Sequence, residues 1–121
     1  MNETEEPGPR SSVIKNLDRN DYEHLLKVIR GGNGLNLDVI CKTKEEKFDF
    51  LADIVEIAAE NINNDAKDKE KKIFRLNASL DMRIHKGGDY GNFIGYLAQR
   101  LESKGDKYTD ISKRISEAFK I

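Results

Sequence analysis

The sequence predicts an all-α protein, a compact bundle of about five helices around a central helix at residues 44–62. The apolar residues of 44–62 cover more than half of the helix circumference, which exceeds the stripe of about 100° that a surface helix needs. Charged residues make up 36% of the chain and hydrophobic residues 37%. Helices suit this balance, since each needs only one apolar face. We therefore expect the central helix to be covered by neighbours on two or three sides.

The N-terminal segment differs in composition from the rest of the chain. Residues 1–12 contain three Glu, two Pro and two Ser, and no apolar residue after Met1. Such a segment buries too little apolar surface to offset its ordering entropy. We predict a disordered acidic tail at 1–12 and a single α-helical domain at 13–121, a length that suits one domain.

The first helix is expected to begin at Asp18, whose carboxylate can cap the amides of a first turn. Leu17 and Tyr22 have the spacing of a hydrophobic staple across that turn. Gly31 is placed to end the helix in a left-handed conformation. Residues 36–42 alternate apolar and polar side chains, but the sequence offers no second strand to pair with them. A short sixth helix or an extended packed connector is therefore expected at 36–42.

The central helix has a clear start signal. Thr43 and Glu46 have the spacing of a capping box, in which the hydroxyl and the carboxylate each accept from a backbone amide. Asp65 is expected to cap the next helix, at about 66–86, and Gly87 to end it. The apolar positions of this third helix are Ile73, Leu76, Leu80 and Ile84, with Phe74 and Ala78 alongside.

Two further helices complete the bundle. Asp89 is expected to open the fourth helix and Gly105 to close it. Asp106 or Thr109 is expected to cap the last helix. The short connections predict that successive helices are antiparallel neighbours.

Two glycines lie inside the predicted fourth helix. Glycine in a helix interior costs about 1 kcal/mol relative to alanine. Gly91 and Gly95 therefore indicate a position where another backbone packs closely or a ligand docks.

Charges of one sign follow two successive helices. The central helix carries an acidic strip that includes Asp49, Asp53, Glu56 and Glu60, and the third helix carries a basic stripe of Lys72, Arg75, Arg83 and Lys86. The two sets align level by level in an antiparallel hairpin, so one interpretation is a charge ladder or a solvated face. Exposed pairs of this kind contribute only about 0.2–1 kcal/mol each. The other interpretation is that one strip binds a partner.

The residues needed for catalysis or metal binding are scarce. The chain has one cysteine, Cys41, and two histidines, which cannot form a zinc cluster or a convincing catalytic triad. A di-iron site needs Glu-x-x-His on two helices, and the sequence has none. We expect no catalytic residue, no metal and no cofactor.

The predicted function is that of a non-enzymatic protein-interaction subunit or adaptor. Its docking surface would be the acidic residues Asp49, Asp53, Glu56 and Glu60, because single-sign strips suit electrostatic docking. The alternative is an RNA- or DNA-backbone-binding subunit that uses Lys72, Arg75, Arg83 and Lys86. The net charge of −1 argues against bulk attraction to nucleic acid.

The remaining expectations concern location and assembly. The start of the chain lacks the features of a signal peptide, and no apolar segment approaches the roughly 20 residues that span a bilayer. We expect a cytoplasmic protein that does not bind membranes. Excess apolar surface could be buried within the monomer or in a homo-oligomer, and the pattern leaves both open.

Overall fold

The structure, a computed structural model, describes residues 13–31, 41–65, 67–87 and 93–119. Within these ranges the chain forms five helices and no strand. They are α1 (Tyr22–Arg30), α2 (Lys44–Asn64), α3 (Lys69–Gly87), α4 (Phe93–Glu102) and α5 (Asp106–Ala118), preceded by a helical turn at 13–15. The all-α prediction is confirmed. The predicted tail at 1–12, Asp89, Gly91 and most of 36–42 lie outside the described residues.

The helix α2 is the centre of the bundle, as the sequence predicts. It packs against all four other helices. Its buried side chains are Phe50, Leu51, Ala52, Ile54, Val55, Ile57, Ala58, Ala59 and Ile62. A helix with so wide an apolar surface can be buried only when neighbours cover it on several sides, so its position follows from its composition.

The start of α2 confirms half of the predicted capping box. The Thr43 hydroxyl accepts from the amide of Glu46 at 3.1 Å. The Glu46 carboxylate accepts from the amide of Lys42 at 3.5 Å instead of from that of Thr43. The cap nevertheless satisfies one of the amides that a first turn leaves without an intrahelical partner.

The first helix starts later than predicted. Its N-cap is Asp21, whose carboxylate accepts from the amide of His24 at 3.1 Å. Asp18 instead accepts from the amide of Asn20 at 3.0 Å, within a local turn. A short carboxylate can satisfy the backbone of either motif, and here the apolar stripe that begins at Tyr22 selects Asp21.

The ends of α1 and α2 are set by different signals. Gly31 adopts the predicted left-handed conformation, with φ of 84°, and its amide donates to Val28 O at 3.1 Å. Asp65 does not cap α3: it ends α2, and its carboxylate accepts from the amide of Lys67 at 3.2 Å. The chain then turns through Asp68, at φ of 57°, so that α3 begins at Lys69.

The connection between α4 and α5 also differs from the prediction. Gly105, expected to close α4, is the N-cap of α5 with φ of 126°, and α4 ends at Glu102. No side chain caps α5, and Thr109 donates its hydroxyl to Gly105 O at 3.1 Å. Asp106 compensates by placing its carboxylate in the first turn, near the positive end of the helix dipole.

The helices pack as two groups around α2. The helix α1 lies parallel to α3, because the Tyr22 hydroxyl donates to Lys72 O at 2.6 Å near both starts and Arg83 Nε donates to Ile29 O at 3.0 Å near both ends. The helices α4 and α5 pack against each other across a short connection. This arrangement places α1 against the basic side of α3 and α4 against the acidic side of α2.

Candidate protein-binding surface

The acidic strip of α2 meets a cation from α4. Arg100 Nη2 lies 2.6 Å from Asp53 Oδ1, and the same nitrogen forms an ion pair with Glu56. Arg100 Nη1 lies 3.8 Å from Asp49 Oδ1. These side chains are only partly exposed, so solvent screens the pairs less than it screens pairs on an open surface. One guanidinium therefore holds three of the four carboxylates that the sequence assigned to a docking surface.

The pKa values of two residues reflect this network. Burial disfavours the charged form of Arg100, but the hydrogen bond with Asp53 and the charge of Glu56 outweigh it and raise the pKa of the guanidinium. The Tyr96 hydroxyl donates to Asp49, and this hydrogen bond raises the pKa of the phenol. Both shifts stabilise the protonation states that keep the network intact at neutral pH.

The outer part of the strip has partners as well. Lys104 Nζ lies 3.5 Å from Glu56 Oε1, and Arg19 Nη1 lies 3.7 Å from Glu60 Oε1. The carboxylates thus pair with α4, with the segment after α4 and with the segment before α1. Arg100 and Lys104 were not predicted as partners of the strip, although their spacing of four residues places both on one side of the chain.

The basic stripe of α3 faces α1. Arg75 forms an ion pair with Glu23, and Lys72 Nζ lies 3.6 Å from Asp65 Oδ2. The hydrogen bond between Arg75 and Glu23 lowers the pKa of the carboxyl group. The ladder that aligned Lys72 and Arg75 with α2 is wrong in its partners, because α1 lies against this side of α3.

The other two members of the basic stripe are Arg83, which contacts α1, and Lys86. Arg83 donates to the carbonyl of Ile29, near the end of α1. The side chain of Lys86 lies outside the described residues. Within the stripe, buried Ser79 accepts from Arg30 Nη1 at 3.3 Å. The stripe thus lies along the α1–α3 seam and is not an open row of cations.

An apolar surface lies on the outer side of α3, where the sequence analysis did not expect one. Phe74 is 73% exposed and Met82 is 46% exposed, with exposed Ala78 between them. Steps of four residues place the three side chains on one helix face. The predicted apolar positions Ile73, Leu76 and Leu80 are buried, whereas Phe74 and Ala78, predicted alongside them, are exposed.

This face borders a groove between α1 and α3, with a volume of about 290 Å³. Its lining residues are Leu26, Arg30, Phe74, Arg75, Ala78, Ser79 and Met82. The two charged residues in the lining are both arginines, and no carboxylate contributes. We call Phe74, Ala78 and Met82 together with this groove the α3 face.

Several cations lie on the groove side of the α3 face. Lys27 and Lys71 are exposed on α1 and α3, and Arg30 is partly exposed. Within the described part of the chain, none of the three forms an ion pair with a carboxylate. Lys71 precedes Phe74 by three residues and Ala78 by seven, so it lies along the same side of α3. Glu70, which pairs with Arg114, and Asp81 lie on the other side of Phe74. The cations are therefore on the groove side of the apolar face.

A second cleft, of about 250 Å³, lies over the acidic strip. Its charged lining residues are Arg19, Asp53, Glu56, Glu60 and Lys104, so cations already oppose its carboxylates. Among the described residues, no group of three or more His, Cys, Asp or Glu side chains is placed to hold a metal ion. In the same ranges, no helix combines the length and apolar character needed to cross a bilayer.

Gly95 does not mark a close approach of another backbone. A Cβ built on it meets no heavy atom within 4 Å, and the residue is exposed on α4. The prediction that another backbone packs closely at this glycine is therefore wrong, and docking of a ligand at its exposed surface stays a prediction. Gly91, the other glycine of the pair, lies outside the described residues.

Comparison of the chain with protein-family models, with curated proteins and with solved structures finds no match.

Proposed function

We propose that the protein is a non-enzymatic protein-interaction subunit that binds its partner through the α3 face. The observation that carries the proposal is the exposure of Phe74, at 73%, beside Met82 at 46%. A phenylalanine on the surface of a small domain leaves a large apolar area in water. Contiguous exposed apolar groups with a polar rim are typical of protein-binding sites.

The acidic strip is the weaker candidate for this role. Arg100 already forms ion pairs with Asp49, Asp53 and Glu56. A partner that binds these carboxylates has to displace Arg100 or accept its charge at the interface. Glu60 is the more available member, since its side chain is 45% exposed and its ion pair with Arg19 is long at 3.7 Å.

Nucleic-acid binding has less support than protein binding. The cations Lys72 and Arg75 of the basic stripe pair with Asp65 and Glu23, which reduces their value as phosphate contacts. Stacking on single strands uses aromatic side chains for successive bases. The α3 face instead combines one aromatic ring with the aliphatic side chains of Ala78 and Met82, a composition typical of protein interfaces.

Affinity purification from the native cells, with the full chain as bait and nuclease treatment of the extract, tests the proposal. The double variant Phe74→Ser/Met82→Ser should lose the nuclease-resistant partner and keep its melting temperature. The matched control Gln99→Ser/Lys113→Ser changes exposed positions of α4 and α5 and should retain the partner. The variant Glu60→Lys tests the acidic strip in the same experiment.

The outcomes separate the surfaces. Loss of the partner in the Phe74/Met82 variant alone supports the α3 face. Equal recovery from this variant and the wild type would overturn it, and loss in Glu60→Lys would transfer the role to the acidic strip. A partner that disappears on nuclease treatment would favour the nucleic-acid alternative.

A further inference from the structure

We infer that the α3 face takes an amphipathic helix of a partner protein, with acidic residues beside its apolar stripe. This inference rests on the proposed function and specifies the chemistry of the partner. Three features of the described residues support it. They are the length of the apolar face, the cations near it, and the repulsion that these cations would cause if two copies of the chain paired through this face.

The length of the apolar face fits a helix. Phe74 and Met82 are eight residues apart on α3, which corresponds to about 12 Å at 1.5 Å per residue. A partner helix laid along that distance presents apolar side chains at positions i, i+4 and i+7. Leu26 and Ala78 both line the groove between α1 and α3, which has room for the central anchor side chain.

An apolar side chain can contact the base of the groove without leaving a buried hydroxyl unpaired. Ser79, which is 2% exposed, accepts a hydrogen bond from Arg30, so its hydroxyl has a partner within the chain. A partner side chain placed over it does not create a buried hydroxyl without a hydrogen bond, which would cost free energy. An apolar partner side chain the size of a methyl group or a leucine can therefore displace water from the groove.

The charge around the face selects the sign of the partner. Arg30 lines the groove, and Lys27 and Lys71 are exposed on the two helices that form it. None of the three forms an ion pair within the described ranges. Arg75, which lines the groove, already pairs with Glu23. Carboxylates that flank the apolar stripe of an incoming helix meet three cations, whereas lysines at those positions meet like charge. Complementarity of this kind favours encounter and excludes wrong partners.

A second copy of the chain fits this face poorly. The apolar faces of α1, α2, α4 and α5 are buried in the core of the described fold. Among the residues that the structure describes, the large apolar side chains left exposed are Phe74 and Met82 of α3 itself. Pairing two copies through it places Lys27, Arg30 and Lys71 of one copy near those of the other, where like charges repel.

Selection of peptides on the immobilised full chain tests the inference. The library consists of displayed helical peptides with Leu, Ile, Phe or Met at i, i+4 and i+7 and equal amounts of Glu, Lys, Gln and Ala elsewhere. We expect the selected helices to be enriched in Glu over Lys. Their affinity, measured by fluorescence polarisation, should fall as salt is raised, since exposed charge pairs are screened.

Variants locate the bound peptide and separate the contribution of apolar contact from that of charge. Phe74→Ser/Met82→Ser should abolish binding, and Lys27→Glu/Lys71→Glu should weaken it by about tenfold. The matched control Lys107→Glu/Lys113→Glu makes the same change of charge at exposed positions of α5 and should leave affinity unchanged. All substituted positions are exposed, so each variant should retain the wild-type melting temperature.

Failure of the inference can be told from failure of the proposed function. Selected helices that are neutral or rich in Lys, or that bind equally to the Lys27/Lys71 variant, would overturn the acidic partner. An absence of selected helices would do the same. In both cases the proposed function stands if the Phe74/Met82 variant still loses its nuclease-resistant partner. Sedimentation that shows a dimer dependent on Phe74 would overturn the inference in favour of a second copy.

Discussion

Arg100 of α4 contacts Asp53 of α2 through Nη2 and Oδ1, 2.6 Å apart, and so joins the hairpin of α4 and α5 to the central helix. The same guanidinium pairs with Glu56 and lies near Asp49. The acidic strip is therefore part of the packing of the bundle. A side chain that neutralises several carboxylates at once has more effect on stability than an isolated surface pair.

Replacing Arg100 should destabilise the fold. Arg100→Met keeps much of the aliphatic stem but leaves Asp53 and Glu56 with less positive charge nearby. Because these groups are partly buried, we expect the free energy of unfolding to fall by about 1–2 kcal/mol. Urea denaturation measures the change. The control Lys104→Met removes a cation whose side chain is 37% exposed and should cost about 0.5 kcal/mol or less. Equal losses in the two variants would contradict the central role of Arg100.

The two threonines considered as helix caps should respond differently. Thr43 caps α2, so Thr43→Ala should lower the free energy of unfolding by about 1 kcal/mol. Thr109 lies within α5 and donates to the carbonyl of Gly105, so Thr109→Ala should change stability by less than about 0.5 kcal/mol. Thermal and urea unfolding of both variants check this. A larger loss in Thr109→Ala would show that α5 is capped through this hydroxyl.

Replacing two glycines with alanine should change the free energy of unfolding in opposite directions. Gly31 has φ of 84°, and a Cβ there would lie 2.9 Å from Arg83 Cζ, so Gly31→Ala should destabilise by about 1–2 kcal/mol. Gly95 lies in an open part of α4, so Gly95→Ala should stabilise by about 0.5–1 kcal/mol. The shift of the urea midpoint of each variant from that of the wild type measures the two effects. Destabilisation by Gly95→Ala would mean that α4 contacts something at this position.

Replacing the two buried serines should have different effects on stability, because only one of them has a hydrogen-bond partner in the part of the chain that the structure describes. Ser112 is 1% exposed, and its hydroxyl has no hydrogen-bond partner among the described residues. Ser112→Ala should therefore be neutral or stabilising by up to about 1 kcal/mol. Ser79→Ala removes the acceptor of Arg30 and should destabilise by about 1 kcal/mol. Calorimetry on the two variants tests the contrast, which would fail if Ser112→Ala were the more damaging change.

Stability should fall in acid in a defined window. The hydrogen bond with Arg75 lowers the pKa of Glu23 from its ordinary value of 4.5, and that with Lys69 lowers the pKa of Asp110 from 3.8. The folded protein therefore binds fewer protons than the unfolded chain just below these values. The contribution of these two pairs to stability is fully present above about pH 5 and is lost as the pH falls through the folded pKa values.

Urea denaturation from pH 7 to about pH 3 measures this loss. The variants Glu23→Gln and Asp110→Asn should be less stable at neutral pH and should show a flatter dependence. Added salt should weaken the dependence, because both carboxylates are exposed enough to be screened. A profile of Glu23→Gln that is parallel to the wild type would show that this pair does not contribute.

Elements whose causes are local can be predicted from the sequence. Thr43 starts the central helix, because a hydroxyl in this position needs only the amide of the next turn. Gly31 ends α1, because a positive φ depends on the residue itself. The wide apolar arc of α2 required that it be central whatever its neighbours were. The predicted caps of α1, α3 and α5 are wrong, because several nearby polar side chains can each serve as a cap.

The neighbour that each helix face contacts depends on the packing of the whole bundle. A helical wheel gives the angle of a side chain but not the identity of the neighbour on that side. Because α1 packs parallel to α3, Arg75 pairs with Glu23, and because α4 packs on α2, Asp53 pairs with Arg100. The same packing leaves Phe74 outside, although its neighbour Ile73 is buried. Pairing and exposure depend on contacts between residues about 50 positions apart, and no local pattern encodes such contacts.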